Sequence, residues 1–95
     1  MPAYCIADVE VTDPAAYDAY RKLVPASLAK HGGRFVVRGG AHTVREGDWQ
    51  PKRLIVLEFP DMAAATAWYD GEDYREAKAL RLKAAKASFV MVEGA

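Results

Sequence analysis

Ninety-five residues hold one domain with a modest core, and 52% hydrophobic against 27% charged residues excludes a disordered chain. Thirteen basic residues balance thirteen acidic ones, so no global field favours nucleic acid or an anionic membrane. The single cysteine, Cys5, excludes a disulfide framework within the chain.

Met1-Pro2-Ala3-Tyr4 has no basic leader segment, and no apolar run is long enough to span a bilayer; a cytoplasmic location is the expectation. Tyr4 to Val11 reads as a strand, with Cys5, Ala7, Val9 and Val11 on one face and Tyr4, Ile6, Asp8 and Glu10 on the other. Thr12-Asp13-Pro14 opens a helix: Asp13 can accept orphan N–H groups, and proline suits the first helical position. Tyr17, Tyr20, Val24, Leu28 and His31 form its apolar stripe. Pro25 removes a donor inside the run and predicts a kink or break; Gly32-Gly33 ends the helix.

Arg34 to Gly39 is the second strand. Strict alternation puts Phe35 and Val37 on one face and Arg34, Val36 and Arg38 on the other. The polar stretch from Ala41 to Pro51 reads as a hairpin arm turning at Gly47. Lys52 to Phe59 is the third strand, with Ile55, Leu57 and Phe59 opposite Leu54, Val56 and Glu58. Asp61 caps a second helix carrying Met62, Ala65 and Trp68 or Tyr69, and Asp70-Gly71 interrupts it. A third helical stretch follows from about Glu72 to Lys86, acidic early and basic late as the helix dipole prefers. Ser88 to Glu93 is the last strand.

This β-α-β-β-α-β order predicts an α+β chain: a ferredoxin-like antiparallel sheet with its helices on one face. Helices then cover Cys5, Val9, Val37, Leu57 and Val90, while Ile6, Val36, Leu54, Val56, Phe89 and Met91 line the open face. Such a patch predicts a homodimer, two sheets closing face to face as a dimeric α/β-barrel.

Several motifs resemble the DUF1330 family: Asp13-Pro14 with Tyr17, His31-Gly32-Gly33-Arg34, Val37-Arg38-Gly39-Gly40, Glu46-Gly47 with Trp49, Glu58-Phe59-Pro60, Ala67-Trp68-Tyr69 and Val92-Glu93-Gly94. The resemblance spans essentially the whole chain. It implies the fold and the dimer, in keeping with the dimeric α/β-barrel superfamily, and assigns no chemistry.

For chemistry, alternation places Asp8, Glu10, Arg38, Glu58 and Glu93 on the face that looks into the barrel. Arg38 with Asp8 or Glu58 is either a structural ion pair or part of a small anion site, since guanidinium suits planar carboxylate recognition. In the second reading Arg38 anchors a small anionic organic ligand in a pocket between sheet and helices, and Asp8 or His42 serves as base. Tyr4, His31, Glu58 and Trp68 are the companion ligand contacts; His31 at a helix end and Trp68 at helical spacing read more readily as structural. An enzyme of this kind would perform cofactor-free proton transfer or oxygenation, and the alternative is a non-catalytic metabolite-binding or structural dimer module. Two distant histidines give no metal-ligand spacing, and Gly39-Gly40 lacks the rest of a nucleotide fingerprint, so neither metal nor cofactor is expected. No nucleic-acid or membrane partner is expected either. Convergence of Asp8, Arg38 and His42 on one pocket would favour an enzyme; an interior filled by Phe89, Met91 and Leu54 would favour the module.

Overall fold

Two aspartates set the helices. Asp13 accepts from Ala16 N at 3.2 Å and Asp61 from Ala64 N at 2.7 Å, each satisfying a donor that a helix start leaves free. The computed structural model describes all residues, Met1–Ala95. In chain order they form β1 (Ala3–Val11), α1 (Pro14–Ala29), β2 (Arg34–Arg38), β3 (Leu54–Phe59), α2 (Met62–Asp70), α3 (Glu72–Ala84) and β4 (Ala85–Glu93). The four strands make one antiparallel sheet in the order β2-β3-β1-β4, the ferredoxin-like arrangement of an α+β chain.

On β1 the alternation holds: Ala3, Cys5, Ala7 and Val9 are buried, and Tyr4, Ile6, Asp8 and Glu10 take the other face. Under the buried face, Trp68, Tyr74 and Phe59 are the largest fully buried side chains. The Trp68 ring centroid lies 4.1 Å from that of Tyr74 and 5.4 Å from that of Phe59. Tyr20 and Tyr74 share a buried hydroxyl contact at 2.9 Å, and Arg81 Nε donates to Tyr74 Oη at 3.2 Å. α3 passes directly into β4, where the Ala84 carbonyl accepts from Thr12 N and Asp13 N at 2.8 and 3.0 Å.

Five expectations are corrected. α1 continues through Pro25 without a break; Pro25 and Arg21, whose carbonyl loses its partner, are both at the surface, where water can take that carbonyl. The helix also ends at Ala29, so His31 lies in the turn beyond it rather than on its stripe. Gly32 there takes φ +70°, and Gly33 N donates to Leu28 O at 2.9 Å, closing the helix. Residues 41–53 form no strand: the stretch is an irregular loop, exposed from 41 to 50, not a hairpin arm.

The fourth correction moves Arg38. β2 pairs Arg34 with Glu58 and Phe35 with Leu57, then skips, so that Val37 faces Val56 and Arg38 faces Ile55. Val36 is the extra residue of a β-bulge, and one inserted residue exchanges the faces of everything after it. Val37 therefore belongs to the open face and Arg38 to the helix side. The fifth concerns β4. Its register pairs Phe89 with Ala7 and Met91 with Cys5, so both pack toward the helices, as does Glu93 opposite Ala3. Val90 and Val92, opposite Ile6 and Tyr4, lie on the open face, 58% and 44% exposed. Apolar residues occupy both parities of β4, so hydrophobicity could not select the face. The open apolar face persists with new members: Ile6, Val37, Leu54, Val56, Val90 and Val92.

Candidate functional site

The open face carries two polar clusters. At one end Glu58 accepts from Tyr4 Oη at 2.9 Å and from Arg34 Nε at 2.7 Å, with Arg34 Nη2 at 2.6 Å. Glu58 thus pairs with Arg34, not with Arg38. The Tyr4 bond first, and Arg34 next, hold the Glu58 carboxyl below the usual carboxylate range; the same bond raises the Tyr4 phenol. At the other end Asp8 accepts from Trp49 Nε1 and from Lys52 N, both at 2.9 Å, and these bonds lower its carboxyl. His42 Nε2 donates to Pro51 O at 3.1 Å within the exposed loop. His31 Nε2 and Lys30 Nζ meet Asp73, each at 3.1 Å, joining the end of α1 to the start of α3.

Asp8, Glu58 and Asp73 give a signed pH dependence. Their folded carboxyls titrate below their ordinary values of 3.8, 4.5 and 3.8. The stability they contribute is complete above those ordinary values and is lost as pH falls through the lowered ones. Urea midpoints measured from pH 6 to pH 2 should decline in that acid window, and Glu58→Gln should flatten part of the decline.

The cavity lies on the other side of the sheet, beneath α1. Ala7 and Val9 of β1, Ile55 and Leu57 of β3, Phe35 of β2 and Phe89 of β4 form its floor, and Tyr17, Tyr20 and Val24 of α1 its roof. The three remaining lining residues are Arg21, Arg38 and Arg53, and no carboxylate lines it. Its volume is about 30 Å³, so it holds roughly one or two waters until a side chain moves. The bulge delivers Arg38 here, its Cζ lying 4.1 Å from the Phe35 ring centroid. Arg53 Cζ lies 6.0 Å from the Tyr17 centroid, and Arg53 Nε is buried with no hydrogen-bond acceptor. Arg21 has an acid 3.7 Å away, Asp18, whereas neither Arg38 nor Arg53 has one within ion-pair distance.

Of the expected site residues, only Arg38 lines this cavity. Asp8 and His42 lie near enough for the histidine to bias the carboxyl, but neither reaches the cavity lining, and no hydrogen bond or ion pair joins either to Arg38. Tyr4 and Glu58 are on the opposite face, and His31 is tied to Asp73. Trp68 is completely buried, its Nε1 donating to Ser27 Oγ at 3.0 Å. Arg53 escaped the sequence reading although the signal was present: it shares parity with Ile55, Leu57 and Phe59, a charged residue aligned with core positions. Cys5 supplies no nucleophile, because burial pushes its thiol up to about 12. No group of three or more His, Cys, Asp or Glu side chains is placed to hold a metal, and no helix is long and apolar enough to cross a membrane.

The family described as "Domain of unknown function (DUF1330)" matches residues 2–95. No curated protein matches the chain. Among solved structures, the chain is similar to a protein of unknown function from Rhodopseudomonas palustris, with 21% identity, 99% of this chain and 82% of the other covered, and a TM-score of 0.78. It is also similar to SnoaB, a cofactor-independent oxygenase from Streptomyces nogalater, at 13% identity, 99% and 93% coverage and a TM-score of 0.67. A dimeric ferredoxin-like protein of unknown function from Jannaschia gives 17% identity, 99% and 100% coverage and a TM-score of 0.66. At these identities the likeness is one of fold.

Proposed function

We propose that this chain, which belongs to the DUF1330 family, is a homodimer that binds a small organic anion in the cavity beneath α1. The observation that carries the reading is Arg53 Nε, a buried donor without an acceptor, at an apolar cavity lined by three arginines and no acid. A buried donor left unpaired costs about 1–3 kcal/mol, which a ligand carboxylate, enolate or phenolate would recover. Arg38 supplies the second guanidinium, and the apolar walls suit a hydrocarbon or aromatic body. A ligand larger than one or two waters fits only once side chains lining the cavity make room for it.

The dimer reading rests on the open face, where valines of β2 and β4 are exposed beside Ile6 and Val56; the Jannaschia relative by fold is described as dimeric. Binding ranks ahead of catalysis because no carboxylate and no histidine lines the cavity. Cofactor-free proton transfer or oxygenation is the second reading, favoured by the fold shared with SnoaB. In that reading Arg38 steadies the developing oxyanion, and Asp8 or His42 must reach the cavity mouth as base.

The test is a thermal-shift screen against small carboxylates and phenols. A true ligand at ten times its Kd should stabilise by roughly 1.4 kcal/mol, a rise of about 5–10 °C for a domain this size. Arg38→Ala should weaken that ligand roughly 10- to 100-fold, the worth of a charge-assisted hydrogen bond. Equal responses of wild type and variant to every compound would make Arg38 structural.

A further inference from the structure

Asp8 stands on the open face, the cavity on the other, and one piece of main chain connects them. Asp8 Oδ1 accepts from Lys52 N, and Oδ2 accepts from Trp49 Nε1. The next residue of β1, Val9, donates its N–H to Arg53 O at 2.9 Å. The chain at 52–53 is therefore held from both sides, by a carboxylate and by a strand N–H. From that clamp the Arg53 side chain runs to the cavity, with its Nε buried. Its guanidinium lies against Gly39, at φ +72°, where any Cβ would overlap it.

We infer that Asp8 is a positioning residue, whose carboxylate seats the Arg53 guanidinium at the cavity mouth from the opposite face of the sheet. Both Asp8 oxygens are engaged by loop donors, which is the arrangement of an anchor and not of a base waiting for substrate. Residues 41–50 are all exposed and form no regular structure, so the loop's return into β3 is fixed by Asp8 together with the Val9–Arg53 and Gly39–Leu54 backbone bonds and the His42 bond to Pro51 O. The ligand that benefits is the organic anion proposed above, and the inference rests on that reading for its functional meaning.

Two readouts separate the claims. In ¹H–¹⁵N spectra the Arg53 Nε–H signal, identified by its loss in Arg53→Lys, should exchange slowly with water in the wild type. Asp8→Ala should speed that exchange at least tenfold, and Trp49→Phe, a surface change that cannot threaten the core, should do so to a smaller degree. Glu10→Ala, on the same face, should leave it unchanged. With hexanoate as probe, Asp8→Ala should weaken binding about fivefold, and about 1.5-fold or less when Arg53 is already alanine, since coupled residues are non-additive. Unchanged Arg53 Nε–H exchange in Asp8→Ala would overturn the inference, as would an equal loss of hexanoate affinity with and without Arg53. Slow exchange that responds to Asp8 in a protein that binds no hexanoate or other small organic anion would uphold the clamp and sink the proposed function.

Discussion

Replacing Val90 with arginine is expected to turn the proposed dimer into a folded monomer. Val90 is 58% exposed in the single chain and stands on the edge strand β4, opposite Ile6, which itself pairs with Val56 on the open face. If a second sheet covers that face, each copy of Val90→Arg places an unpaired guanidinium in an apolar layer. Burying a charge without a partner costs several kcal/mol, and two-fold symmetry imposes that cost on both copies. A penalty of about 4 kcal/mol raises the dissociation constant roughly 10³-fold. In the monomer the same substitution touches solvent, so its effect on intrinsic stability should stay within about 0.5 kcal/mol. Sedimentation equilibrium at micromolar concentration reads the first effect, and circular dichroism through a thermal ramp reads the second. A variant that sediments as the wild type does would show that the open face is not where two copies meet.

The face that Val90 occupies is where the sequence was hardest to read. β1 was legible because only one of its parities is apolar: Cys5, Ala7 and Val9 alternate with Asp8 and Glu10. β3 was legible for a related reason, since Glu58 marks the open face and Phe59 the covered one. β4 presents Phe89, Val90, Met91 and Val92 in succession, and only the pairing of Val11 with Ala85, set by α3 running straight into the strand, chooses between them. β2 failed differently. Its residues alternate acceptably, but the bulge at Val36 adds one residue, and no local pattern announces it. That single residue carries Arg38 from the open face into the cavity. The hydrogen bonds of Asp8 depend on a loop with no periodicity, so they had no signal at all. The fold was thus readable from alternation, caps and element order. The candidate site was readable only in part, through Arg38 and the parity of Arg53, because it is assembled at a bulge and at the end of an irregular loop.

Trp68 separates a core residue from a ligand contact, and Trp68→Ala is expected to be the most destabilising single change discussed. The indole is completely buried, stacked at 4.1 Å on Tyr74 and packed at 5.4 Å on Phe59 and 6.1 Å on Tyr69. Truncating it removes apolar burial and leaves a cavity, together costing about 3–5 kcal/mol. Ser27 is not orphaned by the change, because its hydroxyl still donates to Val24 O at 2.7 Å. The loss is therefore one of packing, a large part of the roughly 5–15 kcal/mol that holds a domain folded, and it should lower Tm by about 15–30 °C. Trp68→Phe keeps most of the stack, loses the Nε1 bond to Ser27 Oγ, and should cost about 1–2 kcal/mol. Trp68 does not line the cavity beneath α1. Trp68→Phe at a temperature where it remains folded should consequently bind small organic anions as the wild type does, while Arg38→Ala should be as stable as the wild type and bind them poorly. Urea midpoints measured beside ligand-induced shifts in Tm check both halves. A Trp68→Phe protein that stays folded but loses the ligand response would return the tryptophan to the site.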